Sequence, residues 1–221
     1  SNPLPAGGAQ DPERLEDARR NATLTLLAFE RVVSLPDYQD FARAFPGIGK
    51  ARADFVIVHG TARVLVSVMG ATGGAPDAQV LANLGQAIAD QSDPSQRFDL
   101  NAAALRYFRC SAGLVIDPQY EVDAVLAAGG AALLQAYGFD ARDLAQPVTA
   151  AAVTTLLQRL PGVVAVQLPL LQPYGAGSPL SGVAEVLPAF GARWDDAKGA
   201  MQPAELLLIN PAAVQLLEAT P

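Results

Sequence analysis

The feature that most constrains this chain is a run of two apolar, β-branched stretches, Asp54-Phe-Val-Ile-Val58 and Arg63-Val-Leu-Val-Ser-Val-Met69, on either side of His59-Gly60. Such residues favour extended backbone. A glycine between them supplies a positive φ at no steric cost, which is what a tight turn needs. The pattern predicts a β-hairpin. A lone hairpin is at best marginally stable in water, so the flanking segments must cover it.

Their periodicities show how. Ser34 and Asp37 have capping-box spacing, and Tyr38, Phe41, Ala42 and Phe45 follow at i, i+3, i+4, i+7. This predicts a short amphipathic helix to about Ala44, stopped by Pro46-Gly47. Upstream, the run Ala22-Thr-Leu-Thr-Leu-Leu-Ala-Phe29 reads as extended. Residues 1–21, with Pro3, Pro5, Gly7, Gly8 and Pro12 and then a charge cluster, read as a linker or tail. After the hairpin, Val80, Leu81, Leu84, Ala87 and Ile88 mark a second helix that ends before Asp93-Pro94, and a strand is expected near 98–103. The order β, α, β, β, α, β predicts a ferredoxin-like first module over 22–103.

The remainder, 104–221, is expected to form a second α+β module. A strand over 105–116 places Phe108, Cys110, Ala112, Leu114 and Ile116 on one apolar face. A helix carries Val122, Val125, Leu126, Leu133 and Leu134. Another, capped by Thr149, carries Val153, Leu156, Leu157 and Leu160. Strands are expected at Val163-Val-Ala-Val-Gln-Leu168 and at Glu205-Leu-Leu-Leu-Ile209, with a Pro- and Gly-rich loop between them. Phe45-Pro-Gly-Ile48 and Leu160-Pro-Gly-Val163 each follow a helix and open a strand, an echo that suggests two related units. The fold class is therefore α+β: two small modules, each with helices packed on a short, mainly antiparallel sheet.

Composition narrows the function. With 51% hydrophobic and 17% charged residues the chain can bury a core, and 15 Lys and Arg against 22 Asp and Glu give a net charge of −7. Affinity for nucleic acid that comes from neutralising phosphates needs clustered positive charge, so nucleic acid is an unfavoured partner. The uncharged run 160–184 is long enough to span a membrane but is broken by Pro161, Pro169, Pro173 and Pro179, so no membrane role is expected. The single cysteine, Cys110, excludes an internal disulfide, and assembly in the cytoplasm is the default expectation. Ser1 and Asn2 look like the remnant of tag cleavage, which points to a longer parent protein.

No residue pattern points to catalysis, a cofactor or a metal. His59 is the only histidine, which rules out a His cluster, and its place in the hairpin turn marks it as an exposed turn residue. Cys110 sits on an apolar strand face, where a thiol acts as a small hydrophobe. Gly73-Gly74 and Gly175-Ala-Gly177 lack the strand, helix and Lys-Ser/Thr context of a phosphate loop. The pairs Asp37 and Asp40, Glu121 and Asp123, and Asp195 and Asp196 favour helix starts or solvate loops. Pro46-Gly-Ile-Gly-Lys50 matches the turn of a helix-hairpin-helix DNA-binding module. That reading requires a helix over 52–58, where the pattern is strand, so a nucleic-acid-binding module is kept only as the first rival function, the second being a hydrolase whose carboxylate pair would have to lie close and buried in a cleft.

The phrases Arg31-Val-Val-Ser-Leu-Pro-Asp-Tyr-Gln-Asp-Phe-Ala42, Phe45-Pro-Gly-Ile-Gly-Lys-Ala51, Val115-Ile-Asp-Pro-Gln-Tyr120, Tyr137-Gly-Phe-Asp-Ala-Arg142, Leu160-Pro-Gly-Val-Val-Ala-Val166 and Pro203-Ala-Glu-Leu-Leu-Leu-Ile209 occur in order along most of the chain. Together they resemble the C-terminal part of the baseplate J-like family, the baseplate wedge proteins of contractile phage tails and related injection systems. The closing Pro-Ala-Glu-Leu-Leu phrase resembles the family's longer branch, and Ala145 departs from a glycine expected there. The resemblance implies a non-enzymatic structural subunit with no catalytic residues to carry over. It further implies a place in a larger ring beside other baseplate, tube or sheath proteins, and a final location in a phage or phage-tail-like particle. Small modules on flexible connectors would suit a ring that changes shape. The expected contacts are the hairpin tip, His59 and Gly60, and the loop 168–188 with Leu170, Leu171, Tyr174 and Leu180.

Overall fold

The computed structural model of the chain describes residues 32–220. The expected tail at 1–21 and the extended run at 22–29 lie outside the described residues.

Helix α1 (Leu35–Ala44) starts as its sequence dictates. The Ser34 hydroxyl accepts from the Asp37 amide at 3.3 Å, and the Asp37 carboxylate accepts from the Ser34 amide at 2.8 Å. These bonds satisfy donors that a helix start leaves unpaired. Tyr38 and Ala42 are buried against the sheet. At the other end the Ile48 amide closes a turn on the Phe45 carbonyl at 3.1 Å, with Gly47 at φ 89°. Pro at the first central position and a positive φ at the second make this a type II turn. The turn at Leu160-Pro-Gly-Val163 is the same, with a 3.2 Å bond and Gly162 at φ 86°.

β1 (Ile48–Val58) and β2 (Thr61–Gly70) form the expected antiparallel hairpin, and β1 begins six residues earlier than Asp54. His59 at φ 47° and Gly60 at φ 77° join Val58 to its partner Thr61 in a two-residue turn with both central residues left-handed. That is the type I′ geometry whose twist suits a hairpin. α2 (Ala78–Gln91), capped by Asp77, buries Leu84 and Ile88. It leads to β3 (Phe98–Ala102), which pairs in parallel with β2.

The sheet order is therefore β1-β2-β3. A ferredoxin-like sheet would keep the place beside β2 for a strand preceding α1, but β3 fills it, so the described residues do not form the expected ferredoxin-like arrangement. Antiparallel pairings are the more numerous, as expected, although both larger sheets also hold parallel pairings.

β4 (Ala104–Ile116) follows β3 after a single residue, Ala103, so no flexible connector separates the two sheets. The second sheet has the order β11-β4-β6-β7, with β6 (Val163–Tyr174), β7 (Gly182–Val183) and β11 (Glu205–Glu218). Phe108, Cys110, Ala112 and Leu114 on one face of β4 pack with α3 (Val122–Ala136) and α4 (Ala150–Gln158) through Val125, Leu133, Val153 and Leu157. The Thr149 hydroxyl caps α4, accepting from the Ala152 amide at 3.1 Å. Leu134, expected in the core, turns outward. The short pair β5 (Val148–Thr149) and β8 (Val186–Leu187) and the hairpin of β9 (Arg193–Asp195) and β10 (Ala200–Gln202) complete the described elements.

Two strands outrun their sequence signals. β6 continues through Pro169 and Pro173 to Tyr174, where a loop was expected. β11 continues past Asn210-Pro211 after a register shift between Ile209 and Val214. Proline lacks the amide for a ladder but is tolerated at bulges and on open edges. β11 is an edge strand, and β7 covers only Leu170 and Leu171 of β6.

The uninterrupted apolar run of β11 reflects burial on both faces. Leu207 and Ile209 join the helix-side core, while Leu206 and Leu208 pack with Met69, Ala103, Leu144 and Ala204 in a seam between the two sheets. The two related turns thus open strands of differently ordered sheets, and the internal echo ends at the turn.

Candidate interaction surface

The titratable candidates settle first. Cys110 is fully buried, and burial pushes its thiol up to about 11, which leaves it protonated and unreactive at neutral pH. Among the described residues no group of three or more His, Cys, Asp or Glu side chains is gathered as a metal site would require. No described helix is long and apolar enough to cross a membrane.

The helix-hairpin-helix reading of Pro46-Gly-Ile-Gly-Lys50 is overturned. Strand β1, not a helix, follows the glycines. Lys50 is buried, with its Nζ 4.8 Å from the centre of the Phe139 ring, and so is not presented to a phosphate. Buried Arg142 is likewise structural. Its guanidinium donates to the carbonyls of Gln146 and Pro147 and lies over the Tyr137 ring, and burial lowers its pKa.

What remains is surface. His59 and Gly60 are exposed at the hairpin tip as expected, although the His59 ring also meets Trp194 edge-on at 5.2 Å. One face of the tip, Val56, Val58 and Leu65, is covered by Ala192, Trp194 and Met201. On the alternate positions of β1, Phe55 is 55% and Ile57 63% exposed. Sequence reading missed this pair, since Phe55 and Ile57 look like core residues of a strand. The available signal was their period-two alternation with Val56 and Val58, which puts the two pairs on opposite faces.

The second expected contact region divides. Leu171 is fully buried in the core and pairs with Cys110 across β4 and β6, so it is not available to a partner. Leu170, beside it, is half-buried. Tyr174 ends β6 exposed, with the Arg109 guanidinium 5.4 Å from its ring centre, and Leu180 is 80% exposed in the loop before β7. Val183, Val186 and Phe190 extend the exposed apolar series along the same stretch. Apolar residues exposed in series along one segment mark an interaction surface more than scattered ones do.

Residues 30–101 match the Baseplate J-like central domain. The matched segment runs through α1, β1, β2, α2 and β3, and contains two of the six phrases on which the family resemblance rests, Arg31 to Ala42 and Phe45 to Ala51; the other four lie beyond it. No curated protein matches the chain in sequence. Among solved structures, a chain of the anti-feeding prophage (AFP) baseplate, determined by cryo-EM and 6-fold symmetrised, is similar at a TM-score of 0.55 and 16% identity. The similarity covers 93% of this chain and 44% of that one, so this chain spans less than half the length of its baseplate neighbour. At that identity the likeness is one of fold, and it extends beyond the Baseplate J-like segment into the second sheet.

Proposed function

We propose that this chain is a structural subunit, a wedge or assembly component, of the baseplate of a contractile phage tail or phage-tail-like injection system. The observation that carries the reading is the match of residues 30–101 to the Baseplate J-like central domain, and the fold likeness to an AFP baseplate chain supports it. The chain acts through protein-protein contacts rather than chemistry, with other baseplate, tube or sheath proteins as partners in a ring. It assembles in the cytoplasm and ends in the particle. Its two modules divide between Ala103 and Ala104, where one sheet ends and the next begins. Contacts are made by the hairpin tip at His59 and Gly60 and by Leu170, Tyr174 and Leu180.

The test is a pull-down of the tagged chain from cells expressing the neighbouring gene cluster, at low and moderate salt, with bound proteins identified by mass spectrometry. Recovery of tube, sheath or baseplate proteins is expected. Recovery of nucleic acid alone, lost steeply as salt rises, would overturn the reading.

A further inference from the structure

Between Leu187 at the end of β8 and Glu205 at the start of β11, the chain leaves the side of the second sheet, crosses to the first and returns. The crossing is fastened at its far end. The Ala192 amide donates to the Asp54 carboxylate at 2.8 Å, and Arg52 holds the same carboxylate with its Nε 2.9 and 3.1 Å from the two oxygens. A Cβ on Gly191 would lie 3.0 to 3.2 Å from this carboxylate, so the close approach depends on a residue without one. Beyond it, Ala192, Trp194 and Met201 cover Val56, Val58 and Leu65, and Trp194 meets the His59 ring edge-on.

The near end is fastened too. The buried Glu205 carboxylate accepts from the Phe190 amide at 3.2 Å and from Arg193 at 3.4 Å, with Arg106 at 3.7 Å. The neighbouring Ala204 amide donates to the buried Ser67 hydroxyl of β2 at 2.9 Å.

We propose that residues 191–204 are a clamp that locks the two sheets into one body. A hinge between modules requires one point to pivot on and free surface elsewhere. Here the sheets are joined at both ends of the β1-β2 hairpin. The seam of Met69, Ala103, Ala204, Leu206 and Leu208 lies at the Gly70 end of β2, where the Ala103 amide also donates to the Val68 carbonyl at 2.7 Å. The clamp grips the outer half of the hairpin, from Leu65 to Val58, the partner of Thr61, which is four to eight residues from Met69, or about 13 to 26 Å at about 3.3 Å per residue. Rotation about the seam must therefore tear the clamp from the tip. It would expose Val56, Val58 and Leu65 and leave Asp54 without its amide partner.

The test uses the whole chain and does not depend on the baseplate reading. Spin labels at Thr61→Cys on the hairpin and Val164→Cys on β6 report the distance between the sheets, since both positions are exposed and the native Cys110 is buried. One narrow distance distribution is expected. In the D54A/W194A background it should broaden or split, and hairpin amides should exchange at least ten-fold faster while those of β4 and β6 keep their rates. A broad or two-peaked distribution with the clamp intact would overturn the proposal, as would a clamp variant that changes neither readout. Should D54A/W194A not fold, Gly191→Ala perturbs the same contact by one methyl group, and the label pair with the clamp intact decides on its own.

Discussion

Leu171 and Leu180 lie nine residues apart in a stretch whose sequence looks uniformly loop-like, yet they should respond to the same truncation in opposite ways. Leu171 is fully buried, and Leu171→Ala removes Cγ and both Cδ carbons from the core beneath α4. At about 0.8 kcal/mol per buried carbon the transfer loss is about 2.4 kcal/mol. The unfilled cavity between β4, β6 and the helices brings the total to about 3–4 kcal/mol. For a chain of this size each kcal/mol shifts Tm by roughly 2–4 °C, so a fall of at least about 6 °C is expected. Leu180 is 80% exposed, and Leu180→Ala should stay within about 0.5 kcal/mol. Thermal unfolding followed by circular dichroism measures both. The pair Tyr174→Asp and Leu180→Asp should then abolish partner recovery in the pull-down with Tm unchanged. Equal destabilisation by Leu171→Ala and Leu180→Ala would refute the division of this stretch into core and contact surface.

Further outcomes can be checked with simple measurements. Gly162→Ala should destabilise by about 1–3 kcal/mol in urea, because φ is 86° there and a Cβ would lie 2.6 Å from the Tyr120 ring. Gly60→Ala, with φ 77° but nothing within 4 Å, should cost less. Cys110 should resist thiol reagents at pH 8 in the native chain and react once urea unfolds it. Its folded pKa of about 11 exceeds the ordinary 9.0, so its contribution to stability is whole below about pH 9 and falls as pH rises towards 11, which a series of urea midpoints would show. Asp37 behaves oppositely. The Ser34 amide, the largest influence, holds its carboxyl below the ordinary 3.8, so its contribution is present above that value and lost as pH falls, and Asp37→Asn should remove this acid-side dependence. Ser34→Ala should cost about 0.5–2 kcal/mol.

Local chemistry was legible in the sequence and distant pairing was not. The Ser34 and Asp37 box, the Thr149 cap, the His59-Gly60 turn and the two Pro-Gly turns depend on residues within a few positions of one another. The apolar alternation of β4 likewise announced its buried face. Misreadings arose where a neighbour distant in sequence decided the outcome. Pro169 and Pro173 signalled a loop, but pairing with β4 carries β6 through them. Helix and strand order suggested a ferredoxin-like sheet, and only the parallel pairing of β3 with β2 shows otherwise. The clamp was hidden for the same reason, because Asp54 reads as a strand start and Gly191 as loop, and 138 residues separate Asp54 from Ala192. Of the candidate surface, the turn residues were legible, whereas the burial of Leu171 and the exposure of Phe55 and Ile57 depend on which faces other elements cover.

On the proposed reading the chain sits in a baseplate ring that must hold its shape and then change it, and the distribution of apolar surface bears on where such a change occurs. Contacts that break during a switch must be cheap relative to those that maintain each body, or the body would unfold before the ring moved. The seam between the sheets is built from fully or nearly fully buried side chains, and rupturing it would cost as much as opening a core. By contrast Phe55 and Ile57 on β1, and Tyr174 at the end of β6 with Leu180 in the stretch after it, are exposed and lie in two separate parts of the chain. Contacts made through such residues can be exchanged for others at a cost of a few side chains each. On the proposed reading, then, the chain contributes stiffness and the ring's mobility resides at its outer contacts. Variants of those exposed residues should alter how readily the assembly changes state while leaving the isolated chain's unfolding unaltered, whereas weakening the clamp should do the reverse.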